Sequence, residues 1–262
     1  MSKEKRSIFR IAAALLCVFA LVLPLGSCSK PEVELGYQSP YDWSRLIYTE
    51  GRYSYWKEGD LASRTGIDVS DHQGFIDWQA VADDRIDFVI VRLGNRGYTE
   101  GGLYLDDHFE RNLEGARAAG LFVGVYFFSQ AINEQEALEE ADFVLNALHG
   151  RNLDYPVIYD FEPVNDSRGR ANNLSPSQLT RNARVFCDRI EAEGYTAMIY
   201  GNKGDIGRLY LKALKEFDIW FAEYGVSRPS GQFDFIIWQY TSSASVNGVP
   251  TRVDMNIHFL EP

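Results

Sequence analysis

Eight short apolar runs of strand character punctuate the chain from residue 65 onward: TGIDVS (65–70), IDFVIVRLG (86–94), LFVGVYFF (121–128), PVIYDFE (156–162), TAMIYG (196–201), DIWFAEY (218–224), FIIWQY (235–240) and VDMNIH (253–258). Helical patterns separate the first five, at Asp77–Asp84, Asp107–Ala119, Glu134–Leu148 and Pro176–Glu193, and a further helix is predicted at Ile206–Phe217. Ser175 stands where it caps the fourth helix, with Pro176 in the first turn and Gly194 beyond the end. Strands that alternate with helices pair in parallel and bury both faces. Eight of them predict an α/β fold of the irregular (β/α)8 type, a TIM-like barrel. The last two connections, 225–233 and 241–251, are rich in Gly, Ser and Pro, so the back of the barrel is expected to be irregular.

The barrel accounts for residues 66–262. Ahead of it, residues 39–65 are aromatic-rich with Glu50-Gly51 and Gly59-Asp60 as turn signals, which predicts a small N-terminal β-hairpin extension packed on the barrel. Residues 28–38 are largely polar, with Pro31 among them, and read as a tether. Residues 1–27 have the make-up of an export signal: Lys3, Lys5, Arg6 and Arg10 precede an apolar run from Ile11 to Leu25, followed by small residues. The run is short for a membrane span, although an uncleaved anchor is the alternative reading. LGSC at 25–28 resembles a bacterial lipobox, in which Cys28 becomes the lipidated first residue of the mature chain. Such a protein is expected in the cell envelope, membrane-anchored through Cys28 and facing the wall. Cys17 leaves with the leader, so Cys187 and Cys28 provide no disulfide framework, and Cys187, within an amphipathic pattern, is expected to be a small core residue.

The leader carries four basic residues and one acid, so its removal takes the formal charge from −11 to −14. That surface excludes nucleic acid as the expected partner and any charge-driven capture of anionic polymers. The four histidines, His72, His108, His149 and His258, lack metal-ligand spacing, and no Gly-rich phosphate loop follows a strand, so neither a metal nor another cofactor is expected. Nothing in the chain specifies an oligomer, and a monomer is the working expectation.

The fourth strand ends in VIYDFEP, with Asp160 and Glu162 two residues apart and therefore on one face. Close, desolvated carboxylates do not both ionise readily, so one keeps a proton near neutral pH, the starting point for acid/base catalysis. Barrel sites form at the C-terminal mouth of the strands. The other strand acids, Asp68 in the first and Asp254 in the eighth, are neighbours on closure and face the fourth strand across that mouth. Tyr126, Tyr224, Trp238 and Tyr240, at the same strand ends, are expected to offer flat walls on which sugars stack. Paired acids with aromatic walls point to glycoside hydrolysis.

GIDVSDHQG (66–74) with IDW following, GVYFFS (124–129), the DFE, WFAEY (220–224), WQYTSS (238–243) and VDMN (253–256) together resemble the glycoside hydrolase family 25 lysozymes, over nearly all of residues 66–259. The resemblance implies an irregular barrel that cleaves the β-1,4 bond between N-acetylmuramic acid and N-acetylglucosamine in peptidoglycan. It implies Glu162 as proton donor, Asp160 as partner acid, and Asp68 and Asp254 as flanking site aspartates. Phe127 departs from the pattern, where many members carry histidine, and this puts subsite contacts in doubt. Residues i and i+2 of a strand lie about 6.5–7 Å apart at Cα, between the separations of retaining and inverting pairs. Attack by the substrate's own acetamido group and inversion by activated water both stay open. The rival readings are a wall-binding lipoprotein without hydrolysis and a hydrolase of another N-acetylated glycan such as chitin.

Overall fold

The computed structural model describes residues 36–261. The export signal, Cys28 and most of the tether lie outside the described residues. The extension is a three-stranded antiparallel sheet of β1 (Leu46–Thr49), β2 (Arg52–Lys57) and β3 (Asp60–Leu61). Its two turns place Glu50-Gly51 and Glu58-Gly59 at positive φ, the left-handed pairs that match the twist of tight hairpins. Tyr53 and Tyr55 turn inward: Tyr55 is buried, and the Tyr53 ring lies 4.8 Å from Trp238 and 5.0 Å from Tyr240.

Eight strands close the barrel: β4 (Ser63–Val69), β5 (Phe88–Arg96), β7 (Phe122–Phe128), β8 (Val157–Asp160), β9 (Ala197–Asn202), β10 (Asp218–Ala222), β11 (Ile237–Ala244) and β12 (Val253–Phe259), with β6 (Leu103–Leu105) added outside β5. β4 pairs with both β5 and β12, which completes the circle. Every pairing from β4 through β5, β7, β8, β9 and β10 to β11 is parallel. β12 alone runs antiparallel to both neighbours, so the barrel is mixed. The turn-rich connections on either side of β11 carry no helix. Phe88, Ile90, Ile158, Met198, Trp220 and Ile237 fill the interior, and Gly66 leaves room for the Phe88 ring, which a Cβ would meet at 2.3 Å.

The helices are α1 (Trp78–Asp83), α2 (Phe109–Ala118), α3 (Glu134–Leu148), α4 (Pro176–Ala192) and α5 (Lys203–Ile206). Ser175 caps α4 with Pro176 in its first turn, and Cys187 is a buried free thiol on it. The helix predicted over 206–217 does not form. Asn202 caps α5 at once, Gly207 follows, and Thr180 Oγ1 takes the Tyr210 backbone N–H at 3.0 Å, drawing the chain off a helical path and leaving one 3-10 turn at Leu211–Ala213. β6 was not anticipated: three residues in a Gly-rich loop leave no readable alternation.

Candidate active site

The antiparallel course of β12 decides which of its residues reaches the mouth. β4, β5, β7, β8, β9, β10 and β11 all end there, whereas β12 begins there, so Asp254, its second residue, stands directly across the pair from Asp68. Asp160 is the last residue of β8, and the ladder stops before Glu162. The alternation nevertheless continues: Phe161 is buried in the outer core, and Glu162 turns toward the acids, with its backbone oxygen held at 2.9 Å by Gln130 Nε2.

Two amides hold Asp68. Gln239 Nε2 and Asn256 Nδ2 both donate to Asp68 Oδ2 at 2.8 Å. Tyr200 and Tyr224 hydroxyls donate to Gln239 Oε1 at 2.9 and 2.5 Å, and Trp220 Nε1 donates to Asn256 Oδ1 at 2.7 Å. The indole N–H only donates and so fixes the Asn256 amide, and the Gln239 amide is set by Asp68, since a flipped amide would place its oxygen against a carboxylate oxygen. Asp68 and Asp254 face each other across the β4–β12 pair, and each carboxyl bears on the other's ionisation. Burial and the charge of Asp254 push Asp68 well above the usual carboxylate range, and burial takes Asp254 up to about 6.

Asp160 is driven the same way by burial, then by the charges of Glu162, Asp68 and Asp205, with Arg92 opposing. Its Oδ1 is buried with no hydrogen-bond partner among the described residues. Glu162 is pushed up to about 7 by burial and by the charges of Asp205 and Asp254. Arg92 is bound to Asp106 at 2.6 Å and Asp71 at 2.5 Å, so it is largely spent at the rim. The mouth is thus a set of carboxylates that shares protons near neutral pH.

A second buried network steadies Glu162 from behind. Glu140 on α3 accepts from Arg96 Nε at 2.9 Å, Ser129 Oγ at 2.6 Å and the Gln130 backbone N–H at 3.2 Å. Gln130 in turn holds the Glu162 carbonyl. Burial outweighs the Arg96 contact, and Glu140 rises to about 7.

Of the expected aromatic walls, two reach the acids. Tyr126 lies inside the barrel, within the field of Arg92, Asp68 and Asp160, and Tyr224 is half exposed at the mouth. Trp238 and Tyr240 do not reach them. They flank Gln239, whose side chain points inward, so strand alternation sends both rings outward beneath the N-terminal sheet, where they are buried. His72 sits at the rim with its ring nitrogen 3.2 Å from Asp71. Sequence reasoning missed Asp205, Gln239, Asn256 and Arg92. The inward alternation of WQY and VDMN carried the signal for Gln239 and Asn256, and the same alternation in FVIVR carried it for Arg92. Nothing local marked Asp205. A cavity of about 520 Å³ lies at the opposite end of the barrel around Arg64, Tyr155 and His258 and includes none of these acids.

Residues 67–249 match the model of the glycosyl hydrolases family 25. The chain is 31% identical over 209 residues to Lysozyme M1 of Streptomyces globisporus, covering 75% of this chain and 68% of that one. It is 29% identical over 191 residues to the autolytic lysozyme of Clostridium acetobutylicum, covering 73% of this chain and 54% of the relative. Among solved structures it is similar to a bacterial lysozyme of Streptomyces coelicolor, at 27% identity and a TM-score of 0.62, covering 75% of this chain and 92% of that one. It is also similar to the modular autolysin LytC of Streptococcus pneumoniae, solved in complex with a synthetic peptidoglycan ligand, at 25% identity and a TM-score of 0.68. That match covers 81% of this chain and 51% of LytC, so the chain spans about half the length of LytC and of the clostridial relative.

Proposed function

Because the chain belongs to the glycosyl hydrolases family 25, we propose that it is a lysozyme that hydrolyses peptidoglycan at the β-1,4 bond between N-acetylmuramic acid and N-acetylglucosamine. The observation that carries the reading is the convergence of Asp68, Asp160, Glu162 and Asp254 on one buried mouth, where burial and the charges of Asp205 and Asp254 push Glu162 up to about 7. Glu162 delivers its proton to the leaving glycosidic oxygen, and a general acid with a pKa near the working pH is the effective one. Tyr224, half exposed at the rim, offers a ring to a bound sugar.

The route of bond cleavage is read from Asp160, the acetamido oxygen bonding to the anomeric carbon as the glycosidic bond breaks and water later opening the cyclised sugar. Its Oδ1 is a buried acceptor without a partner, and such an atom gains most from a substrate donor. An acetamido N–H is a donor of the right kind, so Asp160 orients that group for attack on the anomeric carbon and balances the charge that develops there. Inversion by activated water is the second reading. Binding without hydrolysis would leave the acid set with nothing to do, whereas hydrolysis of another N-acetylated glycan such as chitin would use the same acids and differs in which sugar is recognised. Purified peptidoglycan should yield new reducing ends at muramic acid, with the substrate's anomeric configuration kept in the first product. Reducing ends at glucosamine, or no cleavage, would overturn the bond assignment.

We also propose that Cys28 carries a lipid that tethers the chain to a membrane facing the wall. The reading rests on the basic, apolar and LGSC succession of residues 3–28. An acylated cysteine bearing two chains gives stable anchoring where a single chain does not.

A further inference from the structure

We infer that Asp205 is a fifth acid of this site, a positioning residue whose negative charge holds the proton on Glu162. The inference rests on the reading of Glu162 as proton donor. Asp205 lies on α5, which follows β9, and β9 pairs with β8 so that Tyr200 stands beside Asp160. Its place is set by three features. Asn202 Oδ1 accepts the backbone N–H groups of Gly204 and Asp205 at 2.7 and 3.1 Å. Gly201 permits the close approach, since a Cβ there would come within 3.2 Å of Asp205 Cβ and 3.1 Å of Ile206. The residue is 8% exposed, and its Oδ2 is buried with no hydrogen-bond partner among the described residues.

Arg208, the cation near Asp205, is committed elsewhere: its Nη2 donates to the carbonyls of Leu174 at 3.0 Å and Asn172 at 3.4 Å. Burying an unpaired acid costs stability, and proteins keep such groups where the charge serves a site. The groups that face Glu162 are Asp160 from its own segment, Tyr200 from β9, Asp205 from α5, Tyr224 beyond β10 and Asp254 from β12. After burial, Asp205 is the largest influence raising Glu162, ahead of Asp254. Burial raises Asp205 itself, while the Asn202 backbone and Arg208 oppose that rise.

The test is the Asp205→Asn variant of the full chain, which keeps shape and deletes charge. The basic limb of kcat/KM against pH on dye-labelled peptidoglycan should move down by about one unit, with about a fivefold loss at pH 7 and none at pH 5. A carbon-13 carboxyl titration of Glu162 should show the same downward shift without any turnover. If Asp205→Asn fails to fold, Asp205→Ser carries the same expectation. A folded variant whose limb and titration stay in place overturns the role of Asp205. Glu162→Gln, run alongside, separates the two readings: an inactive Glu162→Gln with an unshifted Asp205→Asn overturns Asp205 alone, whereas a fully active Glu162→Gln overturns both.

Discussion

Asp68 and Asp254 stand opposite each other across the antiparallel β4–β12 pair, and the charge of Asp254 helps to keep a proton on Asp68. The amide pair Gln239 and Asn256 holds Asp68 by occupying its Oδ2. Gln239→Leu removes one of those donors and leaves the Tyr200 and Tyr224 hydroxyls without their acceptor. We expect a loss of about 1–3 kcal/mol in denaturant unfolding, the cost of buried groups left unsatisfied, together with reduced turnover. A variant as stable as the parent would show that the network does not constrain Asp68.

Stability should fall as pH rises through the neutral range. Glu140 and Glu162 rise from 4.5 to about 7 on folding, and Asp254 from 3.8 to about 6. The folded chain therefore holds protons that the unfolded chain releases. That contribution is full below about pH 4 and is lost as pH climbs through 6 to 7. The thermal midpoint should be higher at pH 5 than at pH 8, with a smaller difference in Glu162→Gln. A midpoint that rises from pH 5 to pH 8 would contradict these directions.

Tyr53 ties the N-terminal sheet to the barrel. Its ring packs on Trp238 and Tyr240, and its hydroxyl donates to the Val226 carbonyl at 3.2 Å. Tyr53→Ala should cost about 2–4 kcal/mol through the cavity and the exposed indole. Tryptophan emission should shift to the red in the folded variant; an unmoved spectrum with an unchanged midpoint would mean that the sheet is not needed as cover.

The barrel was legible because eight short apolar runs follow one another, the first five separated by helical patterns, and the acids were legible because DFE, GIDVS and VDMN place them on inward positions. What escaped depended on non-local facts. Trp238 and Tyr240 read as site aromatics until the inward turn of Gln239 fixed the parity of β11. The 206–217 segment keeps helical spacing, yet Thr180, distant in sequence, takes the Tyr210 N–H and breaks it. Asp205 carries no motif and gains meaning only because β9 lies beside β8.

Cys28→Ser should move the protein from the membrane fraction to the soluble fraction on cell breakage. Retention of the Ser variant in the membrane would point to an uncleaved apolar leader in place of a lipid.

The central claim is that Glu162 gives up the proton that cleaves the glycosidic bond, and the Glu162→Gln variant tests it most directly. The amide keeps shape and hydrogen bonding but has no proton of that kind to deliver. Reducing ends released from purified peptidoglycan should drop by about two or more powers of ten in a variant with parental circular dichroism. Release at the parental rate by that folded variant would contradict the account.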